Sequence, residues 1–256
     1  VRYTSLGSGS EGNALLVEVS EGISTTRVLL DCGFSMREVE RRLLLRSIET
    51  STIDAIVITH EHGDHIGSAV SLSKKYGIPL YMSRGTGQIV KGLDNVDVRW
   101  CRSDSIVVVG DIELHPYTVP HDAREPLQFV FSDGHSRLGV LTDVGSSTPH
   151  LIGVLGGCDA LVLECNHDCE MLAVSQYPPS LRARIGGDYG HLANHKAAEI
   201  LAALDRSRLQ RVIAAHLSEK NNSPHLARAA LADVVGMDAV EILVATQIDG
   251  FAWQTL

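Results

Sequence analysis

The chain has 256 residues, 44% of them hydrophobic and 21% charged, enough to bury a substantial core as one large domain or two small ones. Its 22 Lys and Arg against 31 Asp and Glu leave a net charge of -9, which excludes a protein whose whole surface is a nucleic-acid footprint and leaves room for a local basic groove. Cys32, Cys101, Cys158, Cys165 and Cys169 lack the dense even framework of a small secreted domain, and no window approaches 18 uninterrupted apolar residues. The start at Val1 has neither a cationic leader nor an apolar signal core, so a reducing, cytoplasmic location off the membrane is expected.

Residues 14 to 19 and 27 to 31 read as two strands about a turn at Glu21-Gly22, the second delivering Asp31-Cys32-Gly33 at its end. Ahead of them, Gly7-Ser8-Gly9-Ser10-Glu11-Gly12-Asn13 has the glycines for a tight turn beside a ligand but not the lysine of a nucleotide-binding P-loop; a plain hairpin or linker explains it equally. Residues 36 to 46 are predicted helix, with Val39, Leu43 and Leu44 on the apolar face and arginines on the wet one. A strand at 53 to 58 leads into the histidine-rich run, a helix follows at 66 to 76, and a strand opens at Leu80-Tyr81-Met82.

Further along, Ile106 to Val109 and Ile112 to Leu114 flank Gly110-Asp111 as a hairpin with a type I′ or related turn. Phe129-Val130-Phe131 and Leu138 to Leu141 pair across Asp133-Gly134. Strands are predicted at 160 to 164, 211 to 215 and 240 to 245, and helices at 194 to 204 and 224 to 235. No linker splits the chain and polar residues that can bind metal recur after strands in both halves. The expectation is therefore one α/β domain over residues 1 to 256, with Tyr177-Pro178-Pro179-Ser180 as a local loop.

The run Thr59-His60-Glu61-His62-Gly63-Asp64-His65 puts three imidazoles and two carboxylates directly after a strand. Three histidines and Asp64 in six positions make a costly buried polar demand unless a metal satisfies it. His60 and His62 can face one ion while Asp64 and His65 turn to a neighbour, and two ions can orient a water and lower its pKa. Glu61 reads equally well as a surface carboxylate. His121 after Pro120, Asp143 after a strand and His216 after another are distant candidate ligands, Asp143 having two oxygens to share. Cys165-Asn166-His167-Asp168-Cys169 has too few cysteines for a soft metal site and reads as strand-end support.

His60, His62, Asp64 and His65 form a His-x-His-x-Asp-His motif, and on it the chain resembles the metallo-β-lactamase fold superfamily. That resemblance implies a four-layer αβ/βα sandwich with two divalent ions at one edge of its sheets. His60, His62 and His121 would hold one, Asp64, His65 and His216 the other, and Asp143 would bridge them.

Within the superfamily the chain is similar to the cytoplasmic YycJ/WalJ-like group of nucleases. The similarity runs through Ser5 to Ser10, Asp31-Cys32-Gly33, Pro120-His121-Asp122, Leu163 to Asp168, Gly190-His191-Leu192 and Ala215 to Ser218. It implies a phosphodiesterase acting on nucleic acid, a DNA exonuclease. Related branches leave open a hydrolase for a cyclic phosphate, lactone or thioester, and a non-catalytic metal-binding module is a third reading.

By the same resemblance His191, supported by Glu164, would assist the leaving oxygen, while Asp64 would orient the water besides binding metal. Arg182, Arg184, Lys220, Asn221 and Asn222 are candidate phosphate contacts, residue types equally at home on a solvated surface. The ligand letters admit zinc or manganese.

Overall fold

The computed structural model describes residues 1–236 and 241–256. Strands β1 (Arg2–Gly7), β2 (Ala14–Glu21), β3 (Ser24–Leu30), β4 (Ala55–Val57), β5 (Leu80–Ser83) and β6 (Val98–Cys101) lie side by side in that order. A second sheet runs β7 (Val107–Val109), β8 (Ile112–Thr118), β9 (Leu127–Ser132), β10 (Arg137–Leu141), β11 (Ala160–Glu164), β12 (Arg211–Ala215) and β13 (Leu243–Val244). The last strand, β14 (Phe251–Thr255), returns to the first sheet antiparallel to β1, with Arg2 opposite Thr255.

Strict side-chain alternation builds three apolar layers. Val17, Val28, Leu30 and Val57 of the first sheet meet Leu114, Phe129, Phe131, Val140, Val162 and Ile213 of the second in a central core. The intervening residues point outward. Leu16, Leu29, Ile56 and Leu80 pack under α1 (Met36–Leu45) and, after the short α2 (Gly63–Ile66), under α3 (Ala69–Tyr76). After α4 (Arg84–Ile89), α5 (Pro149–Leu155), α6 (Cys169–Val174) and α7 (Pro179–Ile185), the second sheet's outer face is covered. Leu161, Leu163 and Val212 there pack against α5, α8 (Asn194–Ala203) and α9 (Pro224–Val235). Central strands are buried on both faces because helices cover both sides, which gives the four-layer sandwich.

β3 through β6 are mutually parallel, and so are β10 through β13. Loops leaving the carboxyl ends of these strands gather on one rim, the place where open parallel sheets bind ligands. Asp31 follows β3, His60 lies just past β4, Asp143 just past β10, Glu164 ends β11 and His216 follows β12.

The predicted strands and helices recur with shifted ends, and the exceptions have physical reasons. The helix expected over 66 to 76 is interrupted at Gly67, whose φ is +28°; a Cβ there would stand 2.4 Å from the Cys32 carbonyl oxygen, so the break lets two loops meet. At the 110–111 turn only Gly110 has positive φ, which excludes the type I′ form. Pro178 and Pro179 start α7 instead of extending a loop. Of the strand expected over 240 to 245, Val240 lies outside the described residues and pairing covers Leu243–Val244. β1, β6 and β14 lie outside the predicted strands because Arg2, Ser5, Arg99 and Gln254 break the apolar pattern, and α4 to α7 lie outside the predicted helices because six or seven residues show no sustained period.

Candidate metal centre

His60 and His62 follow β4, and His62, in extended conformation, is the residue from which α2 starts, so Asp64 and His65 are turned to the other side of the rim. His121 arrives after β8. Asp143 and His216 are delivered in left-handed backbone, with φ of +54° and +55°. Such φ values are costly for non-glycine residues and recur where function demands a side-chain direction a regular strand cannot supply.

Two sets of atoms converge. His60 Nε2 lies 2.9 Å from His62 Nδ1, which lies 3.3 Å from His121 Nε2. Asp64 Oδ2 lies 3.5 Å from His65 Nε2 and 3.6 Å from His216 Nε2. Asp143 reaches both sets: its Oδ2 is 3.0 Å from His65 Nε2, and its Oδ1 is 3.5 Å from His216 Nε2 and 3.9 Å from His121 Nε2. His191 Nδ1 lies 3.5 Å from the same Oδ1.

The remaining hydrogen bonds test whether these residues suit a cation. Buried Asp143 Oδ2 and His216 Nε2 have no hydrogen-bond partner, although both stand among polar atoms. Three ring nitrogens as close as those of His60, His62 and His121 face one another with lone pairs, which a cation relieves and a proton satisfies only in part. Meanwhile the far nitrogens are tied down. His65 Nδ1 meets Asp31 Oδ2 at 2.8 Å, His60 Nδ1 meets the Thr59 hydroxyl at 3.0 Å, His121 Nδ1 meets the Gly190 carbonyl at 3.1 Å, and His216 Nδ1 lies 3.3 Å from Glu164 Oε1. Rings held this way by their outer nitrogens suit metal-ligating histidines, and the donor set fits divalent cations.

Without a cation the carboxylates hold protons on selected rings. Burial opposes charge on His216, but Asp143, Asp64 and Glu164 outweigh it and push the imidazole up to about 10. Burial is likewise overcome at His65, raised by Asp143 and Asp31, and at His191, raised by Glu164 and Asp143. His60 moves the other way because burial and the neighbouring His65 both disfavour its charge. Asp143 stays far below the usual carboxylate range: burial opposes its charge, yet His216 and His65 prevail.

A cavity of about 440 Å³ opens over the cluster, floored by His62, Asp64, Asp143, His191 and His216 and walled by Tyr177 and the Leu181, Arg184 and Ile185 face of α7. Glu164 lies beneath, entirely buried; its Oε1 meets His191 Nδ1 at 2.8 Å and its Oε2 accepts from the Val144 amide at 2.9 Å.

The expected phosphate contacts separate. Arg184 lines this cavity and pairs with Asp122 at 2.6 Å. Arg182 points to the other face of α7 and donates to the Ala173 carbonyl. Lys220 stands 5.5 Å over the Tyr177 ring in a neighbouring cavity that also includes Asn221. The side chain of Asn222 is spent inside the protein, donating to Cys165 O at 2.7 Å and pairing with Asn194. Asn221 is buried, and its backbone carbonyl accepts from the Asp168 amide. Neither asparagine lines the metal cavity, because both anchor the loop after β12 to the loop after β11.

Three residues to which the sequence assigns no definite role support the cluster. Asp31, at φ +59°, accepts from Thr59 N, Thr59 Oγ1 and His65 Nδ1. Asn13 closes the glycine-rich loop by accepting from Gly9 N, and its own amide donates to Asp64 O at 2.8 Å. Glu61 accepts from the Arg124 amide at 2.7 Å, tying the histidine run to the loop after His121. Asn13 directly follows Gly12 and Asp31 stands two positions before Gly33, so a nearby glycine in a loop at a strand end is the one available signal.

A family model described as a β-lactamase superfamily domain matches residues 26–217. The exodeoxyribonuclease YycJ of Bacillus anthracis is 34% identical over 239 residues, covering 92% of this chain and 89% of that protein. The exodeoxyribonuclease WalJ of Streptococcus pneumoniae is 32% identical over 232 residues, covering 88% and 85%. Among solved structures, the metallo-β-lactamase fold protein YhfI of Bacillus subtilis superposes with a TM-score of 0.74 at 16% identity, over 99% of each chain, a likeness of fold. Sequence kinship over most of its length, joined to clustered cation-ready side chains on the shared rim, makes the chain a member of the β-lactamase superfamily domain family and a metal-dependent hydrolase.

Proposed function

We propose that the protein is a two-metal phosphodiesterase that shortens DNA from an end, acting in the cytoplasm as one hydrolase unit over residues 1–256. The observation that carries this reading is the His191–Glu164 pair: an imidazole held at 2.8 Å by a fully buried carboxylate, on the floor of an open cavity, beside Asp143. DNA as substrate is supported by the two relatives, matched over most of their length, that are named as exodeoxyribonucleases. All five cysteines are free, and among the described residues no helix is long and apolar enough to cross a membrane.

In this reading His60, His62 and His121 would hold one cation and Asp64, His65 and His216 the other, with Asp143 shared between them; five imidazoles and two carboxylates suit zinc or manganese. Such a pair of cations supplies a water of lowered pKa and offsets charge on the phosphoryl oxygens. Asp64, which lines the cavity, would orient that water. His191, kept protonated by Glu164, presents its Nε2 proton to the departing sugar oxygen. Arg184, exposed at the wall, meets a backbone phosphate once it exchanges Asp122 for the strand.

End-labelled single- and double-stranded DNA and RNA, incubated with zinc or manganese, are expected to give ladders that shorten from one DNA end. Asp143→Ala should lose at least about 100-fold of that activity together with cation occupancy. Two bound cations with no strand cleaved would instead favour a cyclic phosphate, lactone or thioester substrate.

His191→Ala should keep both cations, by metal analysis, while turnover falls by roughly 10²- to 10⁴-fold; loss of both cations would make His191 a support of the metal cluster. Asp31→Asn removes the carboxylate behind His65 and should weaken cation binding by about 10- to 100-fold, read by competition with a chromogenic chelator. Unchanged affinity would deny Asp31 that role.

Cation uptake also has a pH signature. The proton on His216, held up to about 10, must leave before Nε2 can bind a cation, so affinity rises with pH toward that value. The same raised value stabilises the metal-free fold below the ordinary imidazole range, a contribution lost as pH climbs through about 10. Calorimetry at pH 7 in two buffers of different ionisation enthalpy should register net proton release; equal heats would contradict it.

A further inference from the structure

The face of α7 turned away from the metal cluster borders a second cavity of about 400 Å³. Leu181, Arg184 and Ile185 look toward the metals, while Pro179, Arg182 and Gly186 look into this other space. Its titratable lining is His167, Cys169, Arg182, His195 and Lys196, with no carboxylate among them, in a chain of net charge -9. The proposed hydrolysis uses none of these side chains.

Three features give the cavity the chemistry of an oxyanion site. His195 and Lys196 belong to the first turn of α8, a ten-residue helix whose start has no side-chain cap, and their amides have no hydrogen-bond partner among the described residues. Free amides at a helix start favour phosphate, and the Arg182 and Lys196 side chains border the same space, their charged heads donating to the Ala173 and Gly145 carbonyls that an anion would replace. Independently, His167 is 2% exposed, and its Nδ1 is buried without a partner while the residue lines the cavity. Burial pushes that imidazole down to about 4, so it serves as a neutral hydrogen-bonding ring and not as a third cation.

The volume exceeds what an inorganic anion fills and lies in the range of small-molecule pockets. Leu172, Ala173 and Pro179 give it an apolar side. We propose that this cavity is a second phosphate site, separate from the metal centre, that takes a phosphomonoester of nucleotide size, with the phosphate at the start of α8 and the base against α6 and Pro179. Free nucleotide and the phosphorylated end of a strand share that chemistry. The proposal stands whether or not the metal centre cleaves DNA.

Cys169 makes the test direct. It is the one exposed cysteine of the five, and its Sγ lies 3.6 Å from His195 Nδ1 inside the cavity. Alkylation of the intact, metal-loaded protein by uncharged iodoacetamide, followed at Cys169 by mass spectrometry, therefore reports occupancy. Anion bound only among the metals, on the far side of α7, does not shield this thiol.

Inorganic phosphate should slow the reaction, and dAMP should do so at lower concentration. Lys196→Gln and Arg182→Gln should each raise the dAMP concentration needed by about tenfold, since each removes a charge-assisted hydrogen bond. Each result is taken as a ratio of rates with and without ligand, so that intrinsic thiol reactivity cancels. A 5′-phosphorylated oligonucleotide with cleavage-resistant linkages assigns a strand end if it protects as dAMP does, and free nucleotide if it does not. Alkylation indifferent to phosphate and dAMP, protection by phosphate alone, or protection undiminished in both variants would overturn the proposal.

Discussion

The charge of Asp143 is what the surrounding rim is arranged to offset. Only 2% of the residue is exposed, and a carboxylate so placed costs several kcal/mol unless partners replace its lost water. Those partners come from both sheets: His65 from the first, His121 and His216 from the second. Neither sheet alone can assemble them. The central apolar layer therefore has a functional consequence, because the stacking of Leu30 and Val57 against Val140 and Ile213 sets the separation of the loops that follow them.

Placing side chains at a strand end requires sharp changes of direction, and the chain accepts strain at those points. Among the non-glycine residues with positive φ are Asp31, Asp143 and His216, all just beyond strands on the same rim. The neighbouring Gly33 has a different necessity. A Cβ there would fall 1.7 Å from the Asp64 carbonyl oxygen, so any other residue would push the ligand loop off its position. Asn13 supports the same carbonyl from its backbone amide. Local backbone cost and close approach are thus concentrated where the rings and carboxylates meet, while the interior of each strand remains regular.

These facts explain what could be read in advance. The ligand candidates were legible because each follows an apolar strand, and a histidine or aspartate at that point has few structural uses that would tolerate burial. His60 to His65 are also close in sequence, so their joint demand for a cation is visible without a fold. Asp31 was visible only as part of a strand-end Asp-Cys-Gly, because its work is to hold Thr59 and His65, a relation that exists only after β3 pairs with β4. The amides of Asn221 and Asn222 looked suited to phosphate for the same reason that they suit interior loops: each offers donor and acceptor together. Burial decides between those uses, and it is a property of the folded chain.

The α6–α7 segment follows a different logic from the ligand loops. α7 has no buried residue and no side-chain cap at its start, yet it forms one wall of the metal cavity and one wall of the cationic cavity behind it. Two arginines two positions apart stand about 200° around a helix, so a seven-residue element sends Arg184 to one side and Arg182 to the other. An element with so little buried apolar surface has a low free energy of local opening compared with the sheets it borders. The rigid rim therefore keeps the candidate ligands in register, and the lightly anchored helix borders the cavity above them.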